Sequence, residues 1–166
     1  MNQINIRLVK LPDAGQIAEI YNFYVLNTHH TFETEPVTSG EMQKRIGEII
    51  KNYPYIIVEE NDEILAYAYA AKYKSRCAYR RSVEISVYVK NGTKGKGFGT
   101  KLYEKLLEEL SKIDVHAIIA GIALPNEASI KIHERFGFEK VAHFREVGFK
   151  FNKWIDVGYW ELINKK

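Results

Sequence analysis

A chain of 166 residues with 46% hydrophobic content suits one compact domain, residues 1–166, able to bury a sizeable core. Its net charge of +3 is spread over interspersed acids and bases, too mild for a nucleic-acid binder without a basic stripe. The single cysteine, Cys77, excludes an internal disulfide and a cysteine metal cluster; with no apolar run near ~18 residues and no signal-peptide pattern, a cytoplasmic protein away from membranes is expected.

Taken in order, Ile4, Ile6 and Leu8 alternate as a first strand. Pro12-Asp13 starts a helix that carries Ile17, Ile20, Tyr21, Tyr24 and Val25 at helical spacing. A polar stretch from Asn27 to Pro36 follows, with Phe32 isolated in it. Adjacent His29 and His30 point apart in regular structure, and without a third ligand no metal site is expected. Thr38-Ser39-Gly40-Glu41 has capping-box form and opens a second helix through Ile46, Ile49 and Ile50. Tyr55 to Glu60 and Ile64 to Tyr73 form a hairpin around Asn61-Asp62, and Ser75 to Arg80 leads out of it.

The next stretch changes period twice. Ser82 to Val89 alternates, with Val83, Ile85, Val87 and Val89 on one face and Ser82, Glu84, Ser86 and Tyr88 on the other. Lys94-Gly95-Lys96-Gly97-Phe98-Gly99-Thr100 then leads into Lys101 to Leu110, striped by Leu102, Leu106, Leu107 and Leu110. Strand, glycine loop and helix start together make an anion site, because amides at a helix start lack partners and the dipole favours negative charge. Phosphate is the commonest occupant, and Lys90, Lys94, Lys96 and Lys101 would suit a polyanion. A plain helix entry with no ligand remains the bland alternative. The loop is not a Walker loop, since Phe98 follows Gly97. Nor is it a dinucleotide fingerprint, since the third glycine position holds Thr100 or Leu102.

Beyond the loop, Ala117 to Leu124 is apolar enough for a strand buried on both faces. Pro125-Asn126 breaks it, and Ala128 to Phe136 is a short helix ended by Gly137. Val141 to Phe149 and Ile155 to Leu162 form a last hairpin turning near Asn152-Lys153. Helices placed between strands predict an α/β fold, a central mixed β-sheet flanked by helices.

The loop resembles the pyrophosphate loop of GNAT acetyltransferases, R/Q-x-x-G-x-G/A, with Lys94 in the Arg/Gln place, a departure that keeps the charge but loses the planar donor. The order of elements resembles the GNAT fold over nearly the whole chain. The match is closer to the phosphinothricin N-acetyltransferase branch, through Ile20-Tyr21-Asn22, Phe32 with Thr34-Glu35-Pro36, Tyr53-Pro54 and Ala66-Tyr67-Ala68. It continues through Lys74-x-Arg76-x-Ala78-Tyr79, Val83-Glu84-x-x-Val87-Tyr88-Val89, Leu124-Pro125-Asn126 and His133-Glu134. Gly148-Phe149-Lys150 and Trp154-x-Asp156-Val157-Gly158 complete it.

That resemblance implies an enzyme that moves acetyl from acetyl-CoA, as co-substrate, to the α-amine of a small amino acid such as phosphinothricin, methionine sulfone or methionine sulfoximine. It implies Glu84 as general base, where local sequence alone reads equally as a solvated strand carboxylate. Backbone around Val87, Tyr88 and Val89 would hold the thioester end, and Lys94 to Thr100 (Lys94, Gly95, Lys96, Gly97, Phe98, Gly99, Thr100) the pyrophosphate. Asn126 and Ser129 would bind the pantetheine, although Asn126 also reads as a helix cap. His133, where many members carry tyrosine, would protonate the CoA thiolate, or else simply pack against the sheet. Arg76 would clamp the acceptor carboxylate beside Lys74 and Tyr79, with Phe32 as the opposite wall; without the motif Arg76 is ordinary surface charge. A homodimer is also implied, with the aromatic tail as contact surface or core. No base is evident beside Cys77 in sequence, so direct transfer is favoured over a covalent acetyl-enzyme. Two other functions stay open: a GNAT enzyme acting on another amine (a polyamine or protein N-terminus), and a catalytically silent acyl-CoA-binding module.

Overall fold

A computed structural model describes residues 4–93 and 95–164 and places seven strands among them in one sheet. In chain order the strands are β1 (Ile4–Leu8), β2 (Tyr55–Glu60), β3 (Glu63–Lys72), β4 (Ser82–Val89), β5 (Ala117–Ala123), β6 (Glu139–Lys150) and β7 (Lys153–Ile163). Helix α1 (Ala14–Asn27) and α2 (Ser39–Ile49) lie between β1 and β2, α3 (Phe98–Ser111) between β4 and β5, and α4 (Glu127–Arg135) between β5 and β6. The spatial order is β1-β2-β3-β4-β5-β7-β6, antiparallel throughout except for the parallel pair β4 and β5. A mixed α/β sheet is therefore observed, as the sequence predicts.

Turn chemistry sets the hairpins. Asn61 and Asp62 both have positive φ (50° and 64°), the conformation of a two-residue turn that matches strand twist. The second hairpin turns on Phe151 and Asn152 (φ 51° and 57°), one residue earlier than the sequence predicts. Thr38 accepts from the Glu41 amide at 3.1 Å as a cap should. The Glu41 carboxylate answers Arg45 at 3.2 Å instead of closing the box.

The sheet is covered on both faces, by two separate cores. On one face α3 packs Leu102, Tyr103, Leu106 and Leu110, all fully buried, over Val83, Ile85, Ile118, Ala120 and Ile122. Each such aliphatic side chain contributes about 1.5–3 kcal/mol on burial. Tyr103, not the half-buried Leu107 of the predicted stripe, sits at the centre of this helix face. On the other face α1 and α2 pack Ile17, Tyr21, Tyr24 and Ile46 over Ile57 and Tyr67. Tyr88 joins this second core by edge contacts with Tyr21 and Tyr24, at 5.3 and 5.1 Å between centroids. The face of β4 that alternates polar in sequence is thus partly covered too.

What positions the site is a failure of pairing. β4 and β5 are joined only at Ser82–Ala117, Val83–Ile118 and Glu84–Ile119. Beyond Glu84, β4 stays with β3 as far as Val89, and β5 stays with β7 as far as Ala123. The sheet therefore opens as a wedge between two strands that both remain extended.

Candidate active site

Backbone alternation decides what faces this wedge. The Lys90 amide donates to the Leu65 carbonyl at 2.8 Å, on the β3 side, which turns the amides of Val87 and Val89 the other way, into the gap. Across the gap, the Leu124 amide donates to Asp156 of β7 at 2.9 Å, so Gly121 and Ala123 turn their backbone groups toward β4. The Val89 carbonyl accepts from the Tyr24 hydroxyl at 2.6 Å. A cavity of about 470 Å³ fills the wedge, walled by Val87, Tyr88, Val89, Gly121, Ala123 and the start of α3, among others.

The loop expected to hold phosphate closes one end of that cavity. Gly95, Gly97, Phe98, Gly99 and Thr100 line it, while Lys96 is exposed beside them and Lys94 lies outside the described residues. Gly95 and Gly97 have φ of 85° and 79°, a left-handed backbone that only glycine adopts at low cost. None of the amides from Gly95 to Thr100 finds a carbonyl acceptor among the described residues. Amides with no partner among the described residues, at the start of a 14-residue helix and opening into a cavity, fit a phosphate chain.

Asn126, Ser129 and His133 stand on the facing wall, along α4. The Asn126 side chain does cap the helix, accepting from the Ser129 amide at 3.3 Å, which leaves its NH₂ for other partners. His133 is 3% exposed, and both its nitrogens are partnered: Nδ1 donates to the Ser129 carbonyl at 2.6 Å, and Nε2 accepts from the Tyr103 hydroxyl at 2.5 Å. Burial pushes the imidazole below its ordinary value, against the opposing effect of the Ser129 carbonyl. The ring is therefore neutral near pH 7, and it packs edge-on against Tyr103 and Phe138 while lining the cavity. Tyr103, its hydroxyl raised in pKa by burial, belongs to the site although the sequence does not single it out. Its one signal is a phenol inside an otherwise aliphatic stripe.

Glu84 stands at the fork, at the last paired position before the strands part. Its carboxylate lies over Gly121: a Cβ on Gly121 would come within 3.3 Å of Oε1 and 3.2 Å of the Tyr159 ring. Gly121 is exposed, and the expectation that β5 is buried on both faces fails there because the cleft reaches its backbone. Burial pushes the Glu84 carboxyl above the usual glutamate range. Its charge in turn helps raise Tyr159, after burial, while Lys74 opposes it.

Of the candidate acceptor residues, Lys74 is near enough to Tyr159 to act on its pKa. The Lys74 ammonium lies 4.9 Å from the Tyr73 ring centroid and 5.3 Å from that of Tyr79. Arg76 stands at the start of the short turn Cys77–Tyr79 and is exposed, beside the exposed thiol of Cys77. From the segment after α1, the Phe32 ring packs on Gly148 of β6. His29 and His30 pack edge to face, 4.9 Å between centroids, and His29 Nε2 is 3.1 Å from the Pro125 carbonyl. No group of three His, Cys, Asp or Glu able to hold a metal occurs among the described residues.

With this geometry in view, comparisons with known proteins are specific. A family model described as an acetyltransferase (GNAT) domain matches residues 6–158. The chain is 40% identical over 163 residues to a phosphinothricin N-acetyltransferase of Streptomyces coelicolor, covering 96% of this chain and 95% of that one. It is 34% identical over 160 residues to an L-methionine sulfoximine/L-methionine sulfone acetyltransferase of Salmonella typhimurium, covering 96% and 94%. Among solved structures, a GNAT phosphinothricin acetyltransferase of Sinorhizobium meliloti in complex with acetyl-CoA superposes with a TM-score of 0.92. It shares 33% identity and covers 96% of this chain and 88% of that one.

Proposed function

The chain belongs to the GNAT acetyltransferase family, and on that premise we propose that it acetylates the α-amine of small free amino acids, as a single domain and directly from acetyl-CoA. Phosphinothricin, methionine sulfone and methionine sulfoximine form the acceptor class, on the strength of what the two curated relatives are named for. The observation that carries the reading is the wedge: loop amides without a partner among the described residues at one end, inward amides of Val87 and Val89 along its side, and a half-buried carboxylate at its fork. These residues fit a phosphate-tailed thioester.

Acetyl-CoA supplies an acyl carbon already activated on sulphur. Glu84 takes the proton of the substrate ammonium, directly or through one water, so that the nitrogen lone pair forms the new C–N bond. Val87 and Val89 donate their amides to the carbonyl oxygen as it gains negative charge. As the C–S bond breaks the attacking nitrogen sheds its second proton, and that proton reaches the departing sulphur by way of the Tyr103 hydroxyl, which the neutral His133 holds in place. Arg76 and Lys74 hold the acceptor carboxylate, Tyr79 and Phe32 wall its side chain, and Asn126 and Ser129 hold the pantetheine. A cytoplasmic location belongs to the same reading, carried by the co-substrate and by the free thiol of Cys77.

A panel of amines with acetyl-CoA, followed by thiol release, tests the assignment. Methionine sulfone and phosphinothricin are expected to drive release well above a polyamine or an N-terminal peptide. Release with the peptide or polyamine alone would transfer the chain to the other-amine reading, and binding of acetyl-CoA with no release at all to the silent module.

We also infer that the protein is a homodimer. Val141, Phe144, Phe149, Phe151 and Trp154 are each more than half exposed on the β6–β7 hairpin, at the open edge of the sheet. A patch of this kind marks an interaction surface. Sedimentation at about twice the 19.2 kDa chain mass is expected, with Trp154→Glu shifting it toward the monomer; a monomeric wild type would refute the inference.

A further inference from the structure

The segment between α1 and α2 carries Phe32 to the acceptor side without regular backbone structure of its own, since residues 28–38 form neither helix nor strand. Side-chain contacts therefore hold it in place. Asn22 grips Val37 at both backbone groups, at 2.9 and 2.8 Å, and Arg45 pairs with Glu33 at 2.7 Å. At Phe32 itself the holding is done from β6, at Gly148 and Lys150. These two residues are two apart and share one face of the strand, while Phe149 and its cross-strand partner Trp154 occupy the opposite, exposed face.

Lys150 is 4% exposed, and its ammonium donates to the Thr31 carbonyl at 2.8 Å, across 119 residues of sequence. Thr31 is itself buried, and its hydroxyl is bonded to that of Tyr21 at 2.8 Å. One residue on, the Phe32 ring occupies the space a side chain at 148 would need: a Cβ there would lie 2.2 Å from the nearest ring atom. A buried cation on a backbone carbonyl and a missing side chain under an aromatic ring thus fix two consecutive residues of the acceptor wall.

We propose that Lys150 is a positioning residue for the acceptor: through the Thr31 carbonyl, and with Gly148 as the seat of the ring, it holds Phe32 at the acceptor cleft. The proposal rests on Phe32 walling that cleft, as read above. Without the ammonium the Thr31 carbonyl is left buried and unpaired, and it regains a partner most easily by moving out to water with Phe32 attached.

Lys150→Met keeps most of the side-chain volume and removes the donor, whereas Gly148→Ala evicts the ring and leaves the donor alone. Each is expected to raise the acceptor KM about tenfold, with the KM for acetyl-CoA within about twofold of wild type. Amide exchange over residues 30–36 is expected to quicken in Lys150→Met, a readout that needs no acceptor and so survives failure of the acceptor assignment. Unchanged exchange there overturns the proposal whatever the substrate is. So does an acceptor KM that stays put, or a rise in both KM values together, which would mark general loosening of the fold.

Discussion

Glu84→Gln is expected to lower kcat/KM for the amino-acid acceptor by about 10²–10⁴-fold, with the affinity for acetyl-CoA nearly unchanged. The substitution keeps the shape over Gly121 and removes the ability to take a proton, so a loss confined to the chemical step follows. The pH dependence has a definite sign. Burial disfavours the carboxylate, so the folded-state pKa lies above the ordinary glutamate value. The base works only when ionised, and the wild-type rate therefore falls as pH drops through that raised value, a limb that Glu84→Gln should lack. Stability carries the opposite mark. An acid with a raised folded pKa contributes stability that is present below its unfolded value and lost as pH rises through the folded one. Glu84→Gln is thus expected to raise the melting temperature at pH 8 and to leave it unchanged near pH 4. An unaltered rate in this variant would remove Glu84 from the mechanism.

Gly97→Val is expected to weaken acetyl-CoA binding roughly 30-fold with little change in melting temperature. Among the described residues nothing lies within 4 Å of a Cβ at Gly97, so crowding is not the cause. The cost comes from φ of 79°: a β-branched residue relieves it by rotating the loop amides away from the cavity, which leaves the fold intact, and binding must restore the strained backbone at about 2 kcal/mol. At 1.4 kcal/mol per factor of ten, that is the stated loss. Titration of acetyl-CoA into both proteins checks it; equal affinities would mean that the loop amides do not hold the co-substrate.

The order of elements was legible because each carries its own local signal. Alternation at Ser82–Val89, a left-handed pair at Asn61-Asp62 and a capping Thr38 are all short-range facts, and the structure contains each of them. The glycine stretch that lines one end of the cavity was legible for the same reason, since Gly95 to Thr100 run consecutively through a loop into the first turn of α3. Tyr103 was not, because its part depends on a hydrogen bond to a residue 30 positions away. Gly121 was hidden by its apolar neighbours, and only the parting of β4 from β5 exposes it. That parting is a matter of where pairing stops, and neither the alternation of β4 nor the apolar run of β5 breaks at that point. Lys150 looks like any surface lysine until β6 turns it inward onto Thr31.

Amide hydrogen exchange with and without acetyl-CoA tests most directly whether the wedge between β4 and β5 is the co-substrate site. Slowed exchange at Val87, Val89 and Gly95 to Thr100, with the β6–β7 hairpin unaffected, is the predicted result. Tight binding that leaves those amides as exposed as before would contradict it.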